Sequence, residues 1–107
     1  FLRHLLIRNR ISVFKNKVIF KGRTLNLEKN ERLIFEILIE KREISGKKVL
    51  EIIYNDNLSL GQNERNKLKT IDKLNDKLKF LFKKTDDMIL PKKNDIDKRE
   101  VIYFINQ

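Results

Sequence analysis

The chain has 107 residues, which is one domain by size with room for a single hydrophobic core. It has no cysteine, which excludes disulfides, Cys-ligated zinc and thiol chemistry. The formal net charge of +10 favours a polyanionic partner, namely nucleic acid, an acidic protein or an anionic membrane surface. Lys, Asn and Ile are abundant, as in AT-rich genomes, so codon bias is a second source of the lysine excess.

No apolar run approaches the roughly 18–20 residues that cross a bilayer, and we expect no membrane insertion by this segment. Residues 1–8 are too short and too interrupted by cations for a signal peptide. We interpret residues 1–10 as a linker or the tail of an upstream element, and residues 11–107 as the folded domain. We expect a cytoplasmic location, with which the absence of cysteine is compatible.

A small antiparallel meander is predicted at the start of the domain. Residues 11–14 and 17–20 are strand-like and flank Lys15-Asn16, a pair suited to a tight turn because Asn tolerates positive φ. Lys21-Gly22 then turns the chain into residues 23–27, where apolar and polar residues alternate.

Residues 27–31 open the first predicted helix, which runs to about Lys41 and has acidic residues in its first turn, where they suit the helix dipole. Its apolar residues form two faces, the first with Leu33, Ile34, Ile37 and Leu38 and the second with Phe35 and Ile39. A helix with two apolar sides is typically sandwiched between other layers. The alternative is that Phe35 and Ile39 form an exposed partner surface.

Ser45 is a good N-cap for a short second helix over residues 46–54. Residues 55–61 form a loop by composition. A third helix is predicted from about Gln62 to Lys83, and Thr85-Asp86-Asp87 ends it.

The third predicted helix has one apolar and one cationic side. The apolar side carries residues spaced by three and four, namely Leu68, Ile71, Leu74 and Leu78. At roughly 100° per residue, the opposite side carries Arg65, Asn66, Lys69 and Lys73, with Thr70 and Lys77 at its edge.

Such a helix suits a nucleic-acid groove because cations bind phosphates while Asn and Thr reach base edges. The alternative is a solvated face rich in lysine. Asp72 lies three residues from Lys69 and five from Lys77, and Asp76 lies three from Lys73, so some lysines are candidates for ion pairs within the helix.

Two strands, residues 88–90 and 101–105, are predicted to close the domain as a hairpin. Pro91 excludes a central-strand position and marks the end of the first strand. The polar loop between the strands carries four candidate DNA-binding cations, Lys92, Lys93, Lys98 and Arg99. We expect them to straddle a DNA backbone or enter a minor groove, although Asp95 and Asp97 at the tip disfavour deep insertion.

This order of strands, three helices and a terminal hairpin resembles the OmpR/PhoB-type winged-helix domain, the DNA-binding effector half of many bacterial response regulators. Leu27-Glu28-Lys29-Asn30-Glu31 is similar to the family's Leu-Thr-x-x-Glu start of the first helix, and Ile44-Ser45-Gly46-Lys47-Lys48-Val49-Leu50 to its hydrophobic-Ser start of the second. Ile71-Asp72-Lys73-Leu74-Asn75-Asp76-Lys77-Leu78 is similar to Ile-x-x-Leu-Arg-x-Lys-Leu of the recognition helix. Asn75 stands where Arg is common and the family's Thr-x-x-Gly-x-Gly-Tyr hairpin is absent, so the chain resembles a divergent member.

The resemblance implies an α+β winged helix-turn-helix with a small N-terminal antiparallel sheet, three helices and a C-terminal β-hairpin wing. It implies a transcriptional regulator that binds double-stranded DNA, with the third helix in the major groove and the 92–99 hairpin at the backbone. It also implies an upstream regulatory domain in the full-length chain. A homodimer on DNA is expected if affinity needs two domains, although nothing in the chain marks an interface.

Two alternatives stay open. One is a winged helix used as a protein-protein interaction module, which Phe35, Ile39, Phe80 and the apolar residues 1–7 motivate. The other is the DNA-binding part of a plasmid or phage replication or partition protein.

We expect neither an enzyme nor a bound cofactor or metal. His4 is the single histidine and has no carboxylate or nucleophile near it in sequence. Adjacent carboxylates such as Asp86-Asp87 more often end a helix than bind a metal. The sequence contains no Gly-rich phosphate loop, metal-ligand cluster or nucleophile paired with a base.

Overall fold

The structure, a computed structural model, describes residues 3–6, 11–97 and 99–106. They form an α+β fold with three helices and two small antiparallel sheets. The first sheet has four strands in sequence order, β1 (Arg3–Leu6), β2 (Ile11–Phe14), β3 (Lys17–Phe20) and β4 (Arg23–Asn26). The helices are α1 (Lys29–Lys41), α2 (Gly46–Ile53) and α3 (Leu60–Phe82). The second sheet has the order β5 (Glu43–Ser45), β7 (Val101–Ile105) and β6 (Ile89–Lys93).

The predicted meander is confirmed as β2, β3 and β4. In the register, Val13 lies opposite Val18, and both side chains are buried. The left-handed residue of the first turn is Lys15, with φ of 55°, and not the expected Asn16. The backbone of Arg3–Leu6 pairs with β2 as a fourth strand. The sequence did not predict this pairing, because cations interrupt the apolar pattern of residues 1–10.

Helix α1 begins after Glu28 and ends at Lys41, as predicted. Phe35 and Ile39 are buried, so the prediction of a sandwiched helix is confirmed and the alternative of an exposed Phe35–Ile39 surface is wrong. The helix contacts strands of both sheets and the other two helices.

Helix α2 has the predicted N-cap, since Ser45 Oγ accepts a hydrogen bond from the Lys48 amide at 3.0 Å. The three-residue strand β5, which the sequence did not predict, lies just before this cap. It places Ile44 opposite Tyr103 of β7 and so joins the segment between α1 and α2 to the terminal hairpin.

Helix α3 begins at Leu60, two residues before the predicted start, because Ser59 and Gln62 form a capping box. Ser59 Oγ accepts from the Gln62 amide, and Gln62 Oε1 accepts from the Ser59 amide, each at 3.1 Å. The helix ends at Phe82 and is followed by Lys83 in the left-handed region, with φ of 55°.

The predicted apolar side of α3 is correct at three positions and wrong at Leu68. Ile71, Leu74 and Leu78 are buried, whereas Leu68 is 53% exposed. The buried stripe includes Asn75 instead. Leu68 lies about 60° around the helix axis from Ile71, at the edge of this stripe, and remains largely uncovered.

The terminal hairpin forms as predicted, but Pro91 does not end its first strand. Strand β6 continues to Lys93, with Pro91 opposite Tyr103. β6 lies at the edge of its sheet, where a residue without an N–H can be accommodated. The prediction that Pro91 does not lie in a central strand was therefore correct. The prediction that Pro91 ends the first strand was wrong.

Candidate nucleic-acid interface

One exposed face lies on the amino-terminal half of α3. It consists of Arg65, Leu68, Lys69 and Asp72, which follow the i, i+3, i+4, i+7 spacing of a single helix face and are all exposed. We call this set the 65–72 face. Within the described part of the chain, none of its three charged side chains has an ion-pair partner. Its two cations are therefore available to an external anion.

Two of the other predicted DNA-binding lysines are engaged by the start of α1. Lys73 Nζ lies 3.3 Å from Glu28 Oε1, and both side chains are exposed. Lys77 Nζ lies 2.5 Å from Oε1 of Glu31, which is only 2% exposed. Both pairs lie on the side of α3 that contacts α1, so the predicted six-residue face is not one open surface.

Glu31 explains why Lys77 is held inward. Its Oε1 accepts hydrogen bonds from the Lys77 ammonium and, at 2.9 Å, from the Glu28 amide, while the buried Oε2 has no partner. An isolated carboxylate in such a place is costly, and a paired cation offsets that cost. Lys77 therefore has a structural role.

The remaining predicted residues of α3, Asn66 and Thr70, are half-buried beside the 65–72 face. Thr70 Oγ1 donates to the Asn66 carbonyl at 2.8 Å, so its only proton is used within the helix. The side-chain amide of Asn66 is therefore more available for an external contact than the hydroxyl of Thr70.

The hairpin cations have different environments. Lys92 Nζ lies 3.6 Å from Glu43 Oε1 of β5 and 5.5 Å from the centre of the Phe104 ring, so it packs across its own sheet. Lys93 is exposed at the end of β6. Lys98 lies outside the described residues.

The tip of the hairpin is organised by its own polar side chains. Asn94 Oδ1 accepts from the Ile96 amide at 2.8 Å, and Asp97 Oδ1 accepts from the Arg99 amide at 3.1 Å. Arg99 Nε also lies 3.4 Å from Asp97 Oδ1. The guanidinium of Arg99 is thus exposed but beside a carboxylate, which weakens its field at a DNA backbone.

A cleft of about 310 Å³ connects α3 to the hairpin and to the first turn of α2. Its cations are Lys47, Lys67 and Arg99, and its carboxylates are Glu64 and Glu100. Lys67 Nζ lies 2.9 Å from Glu64 Oε2. The charges in the cleft nearly balance, so it adds little to the positive field of the neighbouring 65–72 face.

Two buried asparagines of α3, which the sequence analysis did not single out as structural, fix the elements on either side of the helix. Asn63 Nδ2 donates to the carbonyls of Asn55, Leu58 and Ser59 in the preceding loop, at 3.0–3.3 Å. Asn75 binds the backbone at the start of β6. A polar residue on the apolar side of the predicted helix was the available sequence signal for both asparagines.

Asp76 was expected to pair with Lys73, three residues earlier, but its contact is with Lys79, three residues later, at 3.5 Å. Lys79 Nζ also lies 3.1 Å from Asp87 Oδ1 beyond the helix end. The hydrogen bond with Asp87 raises the pKa of the Lys79 ammonium above its usual value, against the opposing effect of desolvation. Carboxylates thus offset the lysines in the second half of α3.

The described residues contain no group of three or more His, Asp or Glu side chains placed to hold a metal ion. Among the same residues, no helix combines the length and apolar content needed to span a bilayer. Comparisons with protein-family models, curated proteins and solved structures found no match to this chain.

Proposed function

We propose that the chain is a winged-helix DNA-binding domain of a transcriptional regulator, of the OmpR/PhoB type. In this proposal the amino-terminal half of α3 lies in the major groove of double-stranded DNA. The observation that carries it is the 65–72 face, on which Arg65 and Lys69 are exposed without an acidic partner among the described residues. Helix-turn-helix proteins contact base edges through the amino-terminal residues of their recognition helix, which is where this face lies.

The topology supports the proposal. Helices α2 and α3 are joined by a loop whose backbone is bound by the Asn63 side chain. Strand β7 of the hairpin pairs with β5, which leads into α2, and strand β6 is bound by Asn75 of α3. The exposed Lys93 and Arg99 of this hairpin are the candidates for contacts with the DNA backbone.

The contacts within the chain narrow the set of proposed DNA ligands. Lys77 forms an ion pair with the buried Glu31, and Lys73 forms one with Glu28. We therefore assign neither lysine to the DNA groove. Arg65 and Lys69 remain as the principal phosphate or base contacts on α3.

The test is the salt dependence of duplex DNA binding for wild type and for the Arg65→Ala/Lys69→Ala variant. Each lost phosphate contact should reduce the magnitude of the negative slope of log K against log salt by about 0.9. We expect a reduction of about 0.9 if Lys69 alone contacts a phosphate, and of about 1.8 if Arg65 does so as well. Lys17→Ala/Lys29→Ala is the control, because it also removes two exposed positive charges but leaves α3 intact. Equal slopes for wild type and the α3 variant, or no binding by wild type, would contradict the proposal.

A second candidate function is a protein-protein interaction module. Of the residues that motivated it, Phe35 and Ile39 are buried, but Phe80 on the carboxyl-terminal half of α3 is 63% exposed. Capture of a partner that survives high salt and is lost in Phe80→Ala, together with no shift of duplex DNA, would favour this function over DNA binding. A role in plasmid or phage replication would use the same DNA contacts and differs only in biological context.

A further inference from the structure

We propose that Leu68 contacts the 5-methyl group of a thymine in the major groove and makes the domain selective for sites with thymine at that position. The inference rests on the proposed function, because it assigns a sequence preference to the same face of α3. It starts from the one apolar residue of that face.

Leu68 is exposed where the apolar pattern of α3 predicts burial. The other members of the pattern, Ile71, Leu74 and Leu78, are buried, while Leu68 is 53% exposed. It lies three residues after Arg65 and directly before Lys69, so its methyl groups belong to the same surface as two unpaired cations. A partner that covers this surface must therefore offer negative charge and an apolar group together.

The major groove of DNA offers that combination. Phosphates line its edges, and the thymine 5-methyl group is the apolar group on its base edges. In the same groove, guanine presents two acceptors that suit Arg65, and cytosine presents an amino donor that suits the carboxylate of Asp72. The 65–72 face thus carries one side chain for each of three kinds of base edge.

The length of the face fits a short site. From Arg65 to Asp72 the helix rises about 10.5 Å, which equals about three base-pair steps of 3.4 Å. Leu68 lies between these two ends. We therefore place the thymine within a stretch of about four base pairs, flanked by positions for the Arg65 and Asp72 contacts.

The experiment removes only the methyl group. Wild-type protein selects its preferred site from a pool of random duplexes, and the selected duplex is then synthesised with 2′-deoxyuridine in place of thymine at one position at a time. Affinities are measured at one fixed salt concentration for wild type, Leu68→Ala and Phe80→Ala. Leu68 and Phe80 are both exposed apolar residues of α3, so neither substitution should disturb the core.

We expect at least one thymine at which deoxyuridine lowers wild-type affinity about fourfold, the effect of one buried methyl group. Leu68→Ala should abolish that difference, and Phe80→Ala should retain it. Equal wild-type affinity for thymine and deoxyuridine at every position, a selected site without thymine, or a difference that persists in Leu68→Ala would overturn the inference.

The proposed function can fail separately. Salt-dependent binding that Arg65→Ala/Lys69→Ala weakens, without any methyl effect, overturns only the assignment of Leu68. Absence of binding to any duplex overturns both.

Discussion

The side chain of Asn75 binds Ile89 through both ends of its amide. Nδ2 donates to the Ile89 carbonyl at 3.1 Å, and Oδ1 accepts from the Ile89 amide at 2.8 Å. Oδ1 also accepts from the Met88 amide at 3.1 Å. These buried bonds hold the first strand of the hairpin to the middle of α3, so Asn75 contributes, together with strand β5, to the position of the hairpin relative to the 65–72 face.

Asn75→Ala should destabilise the fold by about 3 kcal/mol, because it leaves three buried backbone groups of Met88 and Ile89 without partners. Denaturant unfolding measures the loss. Amide exchange of Ile89 should accelerate more than exchange in α1, since the released element is the hairpin. Asp76→Ala, the exposed neighbour, is the control and should change stability by no more than about 0.5 kcal/mol. Equal effects of the two substitutions would contradict this role of Asn75.

Asn63→Ala should cost about 2–4 kcal/mol, because the fully buried amide binds the backbone of the loop between α2 and α3 through four hydrogen bonds. The control is Asn66→Ala, one turn later on the same helix and half-buried, which should cost much less. The midpoint of urea unfolding compares the two variants. If Asn66→Ala shifted the midpoint as far as Asn63→Ala, the loop would not depend on Asn63.

The elements that the sequence predicted well are those set by local patterns. The alternation of the meander, the two apolar sides of α1 and the Ser45 cap each depend on residues close in the chain. Strand β5 could not be predicted in this way. Its three residues become a strand only because Tyr103 and its neighbours, more than fifty residues later, pair with them.

The candidate site was harder to predict because it depends on which part of α3 the other elements cover. Helical spacing alone groups Leu68 with Ile71, and it treats Lys77 as one more surface cation. Lys77 forms an ion pair with the buried Glu31 because α1 packs against that side of α3. Asn75 is buried because the start of β6 covers it. The residues of α3 correctly indicated a cationic helix. They could not show which of its cations form ion pairs and which do not.

The interaction between Lys79 and Asp87 predicts how stability responds to alkaline pH. Because the pKa of Lys79 is raised in the folded protein above its usual value of 10.5, its contribution is complete below that pH and is lost as pH rises through the folded-state pKa. We expect the difference in unfolding midpoint between wild type and Lys79→Ala to shrink as the pH rises above 10.5. When Asp87→Asn is already present, Lys79→Ala should change the unfolding midpoint less, even before the pH is raised. A difference that grew with pH would contradict the assignment.

Lys77 and Lys73 provide a matched pair for the last prediction, since they lie one turn apart on α3 and each contacts a glutamate at the start of α1. Lys77→Ala should cost about 3 kcal/mol, because it leaves the carboxylate of Glu31 buried without a cation. Lys73→Ala should cost less than about 1 kcal/mol, because both members of its pair with Glu28 are exposed. Denaturant unfolding of the two variants measures this contrast.

The double variant Lys77→Met/Glu31→Gln separates the lost charge from the lost contact. It removes both charges but keeps much of the volume, so it should recover most of the stability that Lys77→Ala loses. If Lys77→Ala were no more destabilising than Lys73→Ala, Lys77 would be free for an external ligand and would rejoin the candidate DNA contacts. If instead the double variant recovers stability, the buried charge of Glu31 is the reason that Lys77 is needed at the contact between α3 and α1.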